Sequence, residues 1–174
     1  MSYYPISVRK EAGRLLTGRL LHLSVDHGSY PNNEGYAYMV VPSADPLSIE
    51  KQVEEEGVVV LANCPDVQAV RHDGLNMAYA VFYKGGTLRI HDKIVVEMDA
   101  PGMLMVKYND AGEILTLGVS DPTRFMKKLH LSVNQRIVGT AQENIQTEWD
   151  GKQALTRISV DLPQNEYAGK SVIY

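Results

Sequence analysis

Residues 67 to 83 read VQAVRHDGLNMAYAVFY, and residues 84 to 119 continue KGGTLRIHDKIVVEMDAPGMLMVKYNDAGEILTLGV. Val67 to Arg71 has the β-branched content of a strand, and His72-Asp73-Gly74 is a tight turn of the Asp-Gly kind. Leu75 to Tyr83 is a longer strand. Lys84-Gly85-Gly86 turns again, and Thr87 to Ile90 returns. His91-Asp92 leads into Lys93 to Met98, which Pro101-Gly102 breaks. Met103 to Tyr108, a turn at Asn109 to Gly112, and Glu113 to Val119 complete the run. Short apolar segments punctuated this often by Gly, Pro, Asn and Asp predict antiparallel sheet.

The pattern continues on both sides. Downstream, Asp121 to Lys128 is a loop or a single helical turn. Strands are expected at Leu129 to Val133, Arg136 to Ala141, Asn144 to Trp149, Ala154 to Leu162 and Lys170 to Tyr174. Upstream lies Val58 to Leu61, preceded by the one good helical stretch, Leu47 to Glu56. Asp45 is its expected cap, Pro46 its first position and Gly57 its end. Further upstream, Thr17 to Pro42 (TGRLLHLSVDHGSYPNNEGYAYMVVP) reads as strand, turn, strand. Leu21, Leu23 and Val25 alternate with Leu20, His22 and Ser24. Tyr36 to Val41 is the expected return strand. Residues 1 to 15 are ambiguous. About twelve strands at intervals of roughly eight to twelve residues predict an all-β protein. The expected fold is an antiparallel sandwich of many short strands, with one short helix near residues 46–56.

The chain has 174 residues, 44% apolar and 22% charged, the profile of a globular domain rather than a disordered one. A net charge of -4 lacks the basic field that marks a nucleic-acid partner. No apolar run approaches the roughly eighteen residues of a membrane helix. The single cysteine, Cys64, forms no intrachain disulfide and reads as a buried or half-buried small apolar side chain rather than a nucleophile.

Five histidines are present, and none is spaced from another as zinc ligands are. Asp26 and His27 are adjacent, so on a strand they face opposite ways and do not make a dyad; they are expected to tie down their turn. No P-loop, nucleophile elbow or dinucleotide fingerprint occurs. Ten tyrosines against two phenylalanines and one tryptophan suit half-buried sheet faces, and equally suit stacking on sugars. Arg124, Lys127, Lys128, His130 and Arg136 make a modest basic cluster in an otherwise acidic chain, which reads first as a solvated loop and could also attract an anionic polymer.

Thr17-Gly18, Asp26-His27-Gly28, Pro31, Tyr36 and Tyr38, a Pro-led short helix, and Val67-Gln68-Ala69-Val70 together resemble the C-terminal part of polysaccharide lyase family 8. That family includes chondroitin AC and ABC lyases, hyaluronate lyases and xanthan lyases, and the likeness is greatest to the chondroitin sulfate lyases. It spans residues 17 to 83 and weakens beyond. The resemblance implies a portion of a larger enzyme. Residues 1–45 would be the terminal strands of a central β-supersandwich, and 46–174 a C-terminal β-sandwich domain. The N-terminal catalytic domains would be missing partners.

The resemblance also implies β-elimination at a uronic acid in a glycosaminoglycan, and a bacterial protein that is secreted or periplasmic. No stretch matches the family's catalytic motifs, so no catalytic residue, metal ligand or cofactor is assigned. The expected role is structural support with polysaccharide contact. The candidate contacts are His27, Tyr30, Tyr36, Tyr38, Arg124, Lys127 and Lys128. The rival expectation is an autonomous carbohydrate-binding module for acidic polysaccharide.

Overall fold

The computed structural model describes residues 2–9, 15–22, 24–41, 45, 47–139 and 142–174. The chain divides into two compact units, Met1–Tyr38 and Met39–Tyr174. In the first, β1 (Ser2–Arg9) and β2 (Leu15–His22) pair antiparallel, with Ser2 opposite His22 and Arg9 opposite Leu15. This corrects the expected hairpin. The partner of the Thr17–His22 segment lies upstream, and Tyr36–Val41 forms no strand. An alternating pattern permits a strand, but a ladder partner makes one. After β2 the Asp26 carboxylate accepts the Gly28 N–H at 2.8 Å, with Gly28 at φ 79°, so Asp26 ties down its turn as expected.

The first element of the second unit is α1 (Ile49–Glu56), with Ser48 at its N-terminal boundary making no side-chain capping bond, and with Gly57 ending it in the left-handed conformation. The helix starts at Ile49, later than expected, so Asp45 holds the turn before it instead of capping it: its carboxylate accepts the Leu47 N–H at 3.1 Å, and its carbonyl accepts the Ser48 N–H at 3.1 Å. Eleven strands follow: β3 (Val58–Asn63), β4 (Val67–His72), β5 (Met77–Phe82), β6 (Gly86–His91), β7 (Ile94–Met98), β8 (Gly102–Tyr108), β9 (Ile114–Ser120), β10 (Lys128–Val133), β11 (Ile145–Asp150), β12 (Leu155–Asp161) and β13 (Val172–Ile173). They form a six-stranded sheet in the order β13-β9-β8-β5-β4-β3 and a five-stranded sheet in the order β11-β12-β10-β7-β6. Every pairing is antiparallel, as expected of the fold class.

The core lies between these sheets. Ala78, Ala80, Phe82, Leu104 and Val106 of the first pack in one apolar cluster with Ile90, Ile94, Val96, Leu129 and Val133 of the second. Alternate residues of each strand supply it, the period-2 rule of a sandwich. Small alanines on β5 face bulky β-branched residues, which lets the sheets interdigitate. Gly85 marks one close approach. A Cβ there would lie 2.6 Å from the Asp99 carbonyl oxygen, so only glycine fits the β5–β6 turn against the end of β7.

Some expectations fail locally. Arg136–Gly139 is not a strand; the Ile137 N–H donates instead to the Thr156 hydroxyl at 3.1 Å, and that hydroxyl donates to the Gln135 carbonyl at 2.6 Å. Cys64 is exposed in the β3–β4 turn rather than buried, with its Sγ 3.4 Å from the Val67 carbonyl oxygen. The turn after β4 is a short 3-10 helix, Asp73–Leu75, closed by Asn76 at φ 50°.

Candidate functional site

The outer faces of the two sheets differ in chemistry. On the six-stranded sheet one row of directly paired residues runs from edge to edge: Val60 opposite Val70, Val70 opposite Tyr79, Tyr79 opposite Met105, Met105 opposite Gly118, and Gly118 opposite Ile173. Every member is apolar, save the tyrosine hydroxyl. Val60 is 48% exposed, Tyr79 44% and Ile173 57%. Val81 and Met103 extend the patch in the next row, and the face is hollowed into a shallow groove of about 430 Å³. The side chain of Met105 lies over Gly118, where an added Cβ would meet its Cε at 3.2 Å, so the row stays apolar and continuous at the glycine.

The five-stranded sheet presents the opposite. Its outer row runs Glu148, Arg157, Ser132, Glu97 and Thr87, polar on all five strands. Beside it Gln146, Ser159 and His130 form a second polar row. The groove over these rows encloses about 680 Å³. Arg157 is already engaged, with Nη1 3.1 Å from Asp150 Oδ2 and Nη2 2.8 Å from Gln153 Oε1. The Asp150 carboxyl sits below the usual range because the Gln153 amide, the Arg157 guanidinium and the Lys152 amide hydrogen-bond to it.

The sequence-derived contact residues fall in two places. His27, Tyr36 and Tyr38 come together in the first unit. The rings of His27 and Tyr36 are 6.1 Å apart, and those of Tyr36 and Tyr38 are 6.3 Å apart and nearly parallel at 15°. Tyr30 is 96% exposed and joins no ring pair among the described residues. Arg124, Lys127 and Lys128 lie in and after the β9–β10 loop of the second unit. Lys128 Nζ is 3.1 Å from Asp161, and Arg124, at φ 66°, reaches the Asn165 carbonyl at 3.5 Å. Lys127 is exposed.

Asp121 shapes that loop and was not singled out in the sequence. It is buried and accepts four hydrogen bonds: from the Thr123 amide (2.8 Å) and hydroxyl (2.5 Å), the Phe125 amide (2.9 Å) and the Met126 amide (2.8 Å). Burial pushes its carboxyl up, but these donors outweigh burial and hold it below the usual range. A lone Asp-Pro-Thr after a strand was the available signal. Among the described residues no group of three or more His, Cys, Asp or Glu could hold a metal ion. Among the described residues no helix is long and apolar enough to cross a membrane.

Residues 59–130 match the family model of the polysaccharide lyase family 8 C-terminal beta-sandwich domain. Chondroitinase-AC of Pedobacter heparinus is 31% identical over 157 residues, 90% of this chain and 20% of that protein. A hyaluronate lyase of Thermasporomyces composti is 27% identical over 169 residues, 97% of this chain and 20% of that protein. A solved chondroitinase AC lyase, studied with bound oligosaccharides, is 30% identical at a TM-score of 0.56, covering 75% of this chain and 17% of its own. Chondroitin AC lyase of Streptomyces coelicolor A3 in complex with chondroitin sulphate shares the fold at a TM-score of 0.67 and 24% identity, covering 92% and 21%. The family likeness read from the sequence is borne out, although the family match runs over residues 59–130 and so continues past residue 83, where the likeness was expected to weaken. The chain spans about a fifth of the length of the curated relatives it matches.

Proposed function

We propose that this chain, whose residues 59–130 are the C-terminal β-sandwich domain of polysaccharide lyase family 8, is the non-catalytic C-terminal portion of a bacterial glycosaminoglycan lyase. The whole enzyme would cleave chondroitin sulfate or hyaluronan by β-elimination at uronic acid, in the periplasm or outside the cell. The part described here would support the catalytic portion. One observation carries this reading: the all-apolar row from Val60 to Ile173 across six strands. A contiguous apolar face of that kind marks an interaction surface. Relatives about five times longer supply the natural occupant, the remainder of the same lyase chain. The first unit supports it as well, because its regular structure is a two-stranded sheet, and sheets that small are marginal on their own. Residues 1–45 are accordingly read as the last strands of the central supersandwich.

The test is an assay of the chain alone on chondroitin sulfate and on hyaluronan. No rise in the ultraviolet absorbance of an unsaturated uronate is expected. A rise abolished by heating would overturn the non-catalytic assignment.

A second reading, an autonomous binding module for acidic polysaccharide, is favoured by the exposed, nearly parallel Tyr36 and Tyr38 rings beside His27. Arg124, Lys127 and Lys128 would add charge. It predicts salt-sensitive binding of the isolated chain to chondroitin sulfate; none at millimolar sugar would end it.

A further inference from the structure

We infer that the outer groove of the five-stranded sheet is a binding site for an uncharged, hydroxyl-rich oligosaccharide. His130 and Ser132, which line it, alternate with Lys128 along one face of β10, and the site does not depend on the lyase assignment.

The groove combines three properties. Its floor is rigid: β12, β10 and β7 are interior strands, and Leu131, Ile158 and Val160 beneath it are buried in the core. Its polar groups are uncommitted: the side chains of Glu97, Glu148, Ser132, Ser159 and Gln146 make no hydrogen bond or ion pair to other described residues. Ser132 and Ser159 line the groove and are half-buried. Its volume, about 680 Å³, is that of a ligand site.

Charge selects the ligand class. Glu97, Asp99 and Glu148 line the groove together with His130 and one guanidinium, Arg157, which Asp150 and Gln153 already occupy, while Lys128 at its border is paired with Asp161. A sulfated or uronate-rich chain would meet uncompensated carboxylates. A neutral sugar meets acceptors for its hydroxyl protons, with bonds to charged acceptors roughly twice as strong as neutral ones. Half-buried Leu155 offers an apolar contact for the C–H face of a ring. Glu148 and Glu97 stand three strand spacings apart in one row, about 14 Å, which suits a short oligosaccharide better than a single sugar.

Trp149, the chain's single tryptophan, pairs with buried Thr156 and so faces the opposite side of β11 from Glu148; binding is therefore read by titration calorimetry. The experiment titrates the full 174-residue chain with cellopentaose, mannopentaose, xylopentaose and N-acetylchitopentaose, and separately with a chondroitin sulfate oligosaccharide. The expected result is a saturable change with at least one neutral sugar at millimolar concentration or below. Glu97→Ala and Glu148→Ala should each weaken it several-fold, while Lys107→Ala, an exposed position on the other sheet, leaves it unchanged. Ser132→Trp, which fills the groove, should abolish it, with unchanged thermal melting showing that the variant folds. Three results would overturn the inference: no neutral sugar saturates, binding survives in the Glu97→Ala and Glu148→Ala double variant, or chondroitin sulfate binds more tightly than any neutral sugar.

Discussion

The Asp121 carboxylate holds both the amide and the hydroxyl of Thr123, at 2.8 and 2.5 Å, while its second oxygen takes the amides of Phe125 and Met126. This buried group folds the loop that carries Arg124 into β10. Its folded-state pKa is lowered, so its contribution to stability is fully present above the unfolded carboxylate value, near 4. That contribution is lost as the pH falls through the folded value. Asp121→Asn should lower stability by about 2 kcal/mol at neutral pH, since a neutral amide replaces a charged acceptor and brings a donor among donors. Urea unfolding at pH 7 and pH 3 checks this: the gap between the two proteins should narrow in acid.

Val70 stands between Val60 and Tyr79 in the apolar row and is half open to solvent. Val70→Glu or Met105→Glu should therefore shift the stability of this chain by no more than about 0.5 kcal/mol. Either should reduce binding of an apolar fluorescent dye. Joined to the rest of a lyase, the same variants should lower the melting temperature of the assembled protein. Unchanged melting there would remove the docking role from this face.

Gly85 faces the Asp99 carbonyl oxygen, which a Cβ would approach to 2.6 Å. Backbone, not a flexible side-chain end, is the obstacle. Gly85→Ala should destabilise by about 1–3 kcal/mol, the range for overpacking. Gly86, with nothing near its would-be Cβ, should tolerate alanine far better. Denaturant midpoints of the two variants make the comparison.

Thr156 is buried, and its hydroxyl links the Gln135 carbonyl to the Ile137 N–H. Thr156→Val keeps the shape and strands both groups, so a loss of about 1–3 kcal/mol is expected. Faster amide exchange at Ile137 would localise the damage.

Much of the sandwich was legible because its strands obey local rules. Met77–Phe82 and Gly102–Tyr108 lie within two residues of where turn chemistry placed them. The N-terminal pairing was not legible, because alternation in Thr17–Val25 names a strand without naming its partner, and Tyr36–Val41 alternates without one. Arg136–Gly139 failed for a related reason: its apolar residues suit a strand, but a buried threonine takes the backbone bond. The two outer faces were partly visible. MAYAVF and MLMV are apolar at nearly every position, the mark of a strand covered on both sides. Uniting Val60, Val70, Tyr79, Met105 and Ile173 into one row required the register, and register between distant strands is not written locally. Asp121 escaped notice because one acidic residue after a strand looks the same whether it caps a loop or faces water.

Val172 and Ile173 pair with Val119 and Gly118, and Tyr174 exchanges two backbone hydrogen bonds of 2.8 Å with Leu117. These few residues stand guard over β9, a full-length strand rich in leucine and valine. Removing Ser171–Tyr174 would uncover its amides and carbonyls as a template for a foreign strand. A shortened version of this domain, trimmed for expression or crystallisation, would trade a small loss of contact for a sticky border and self-association.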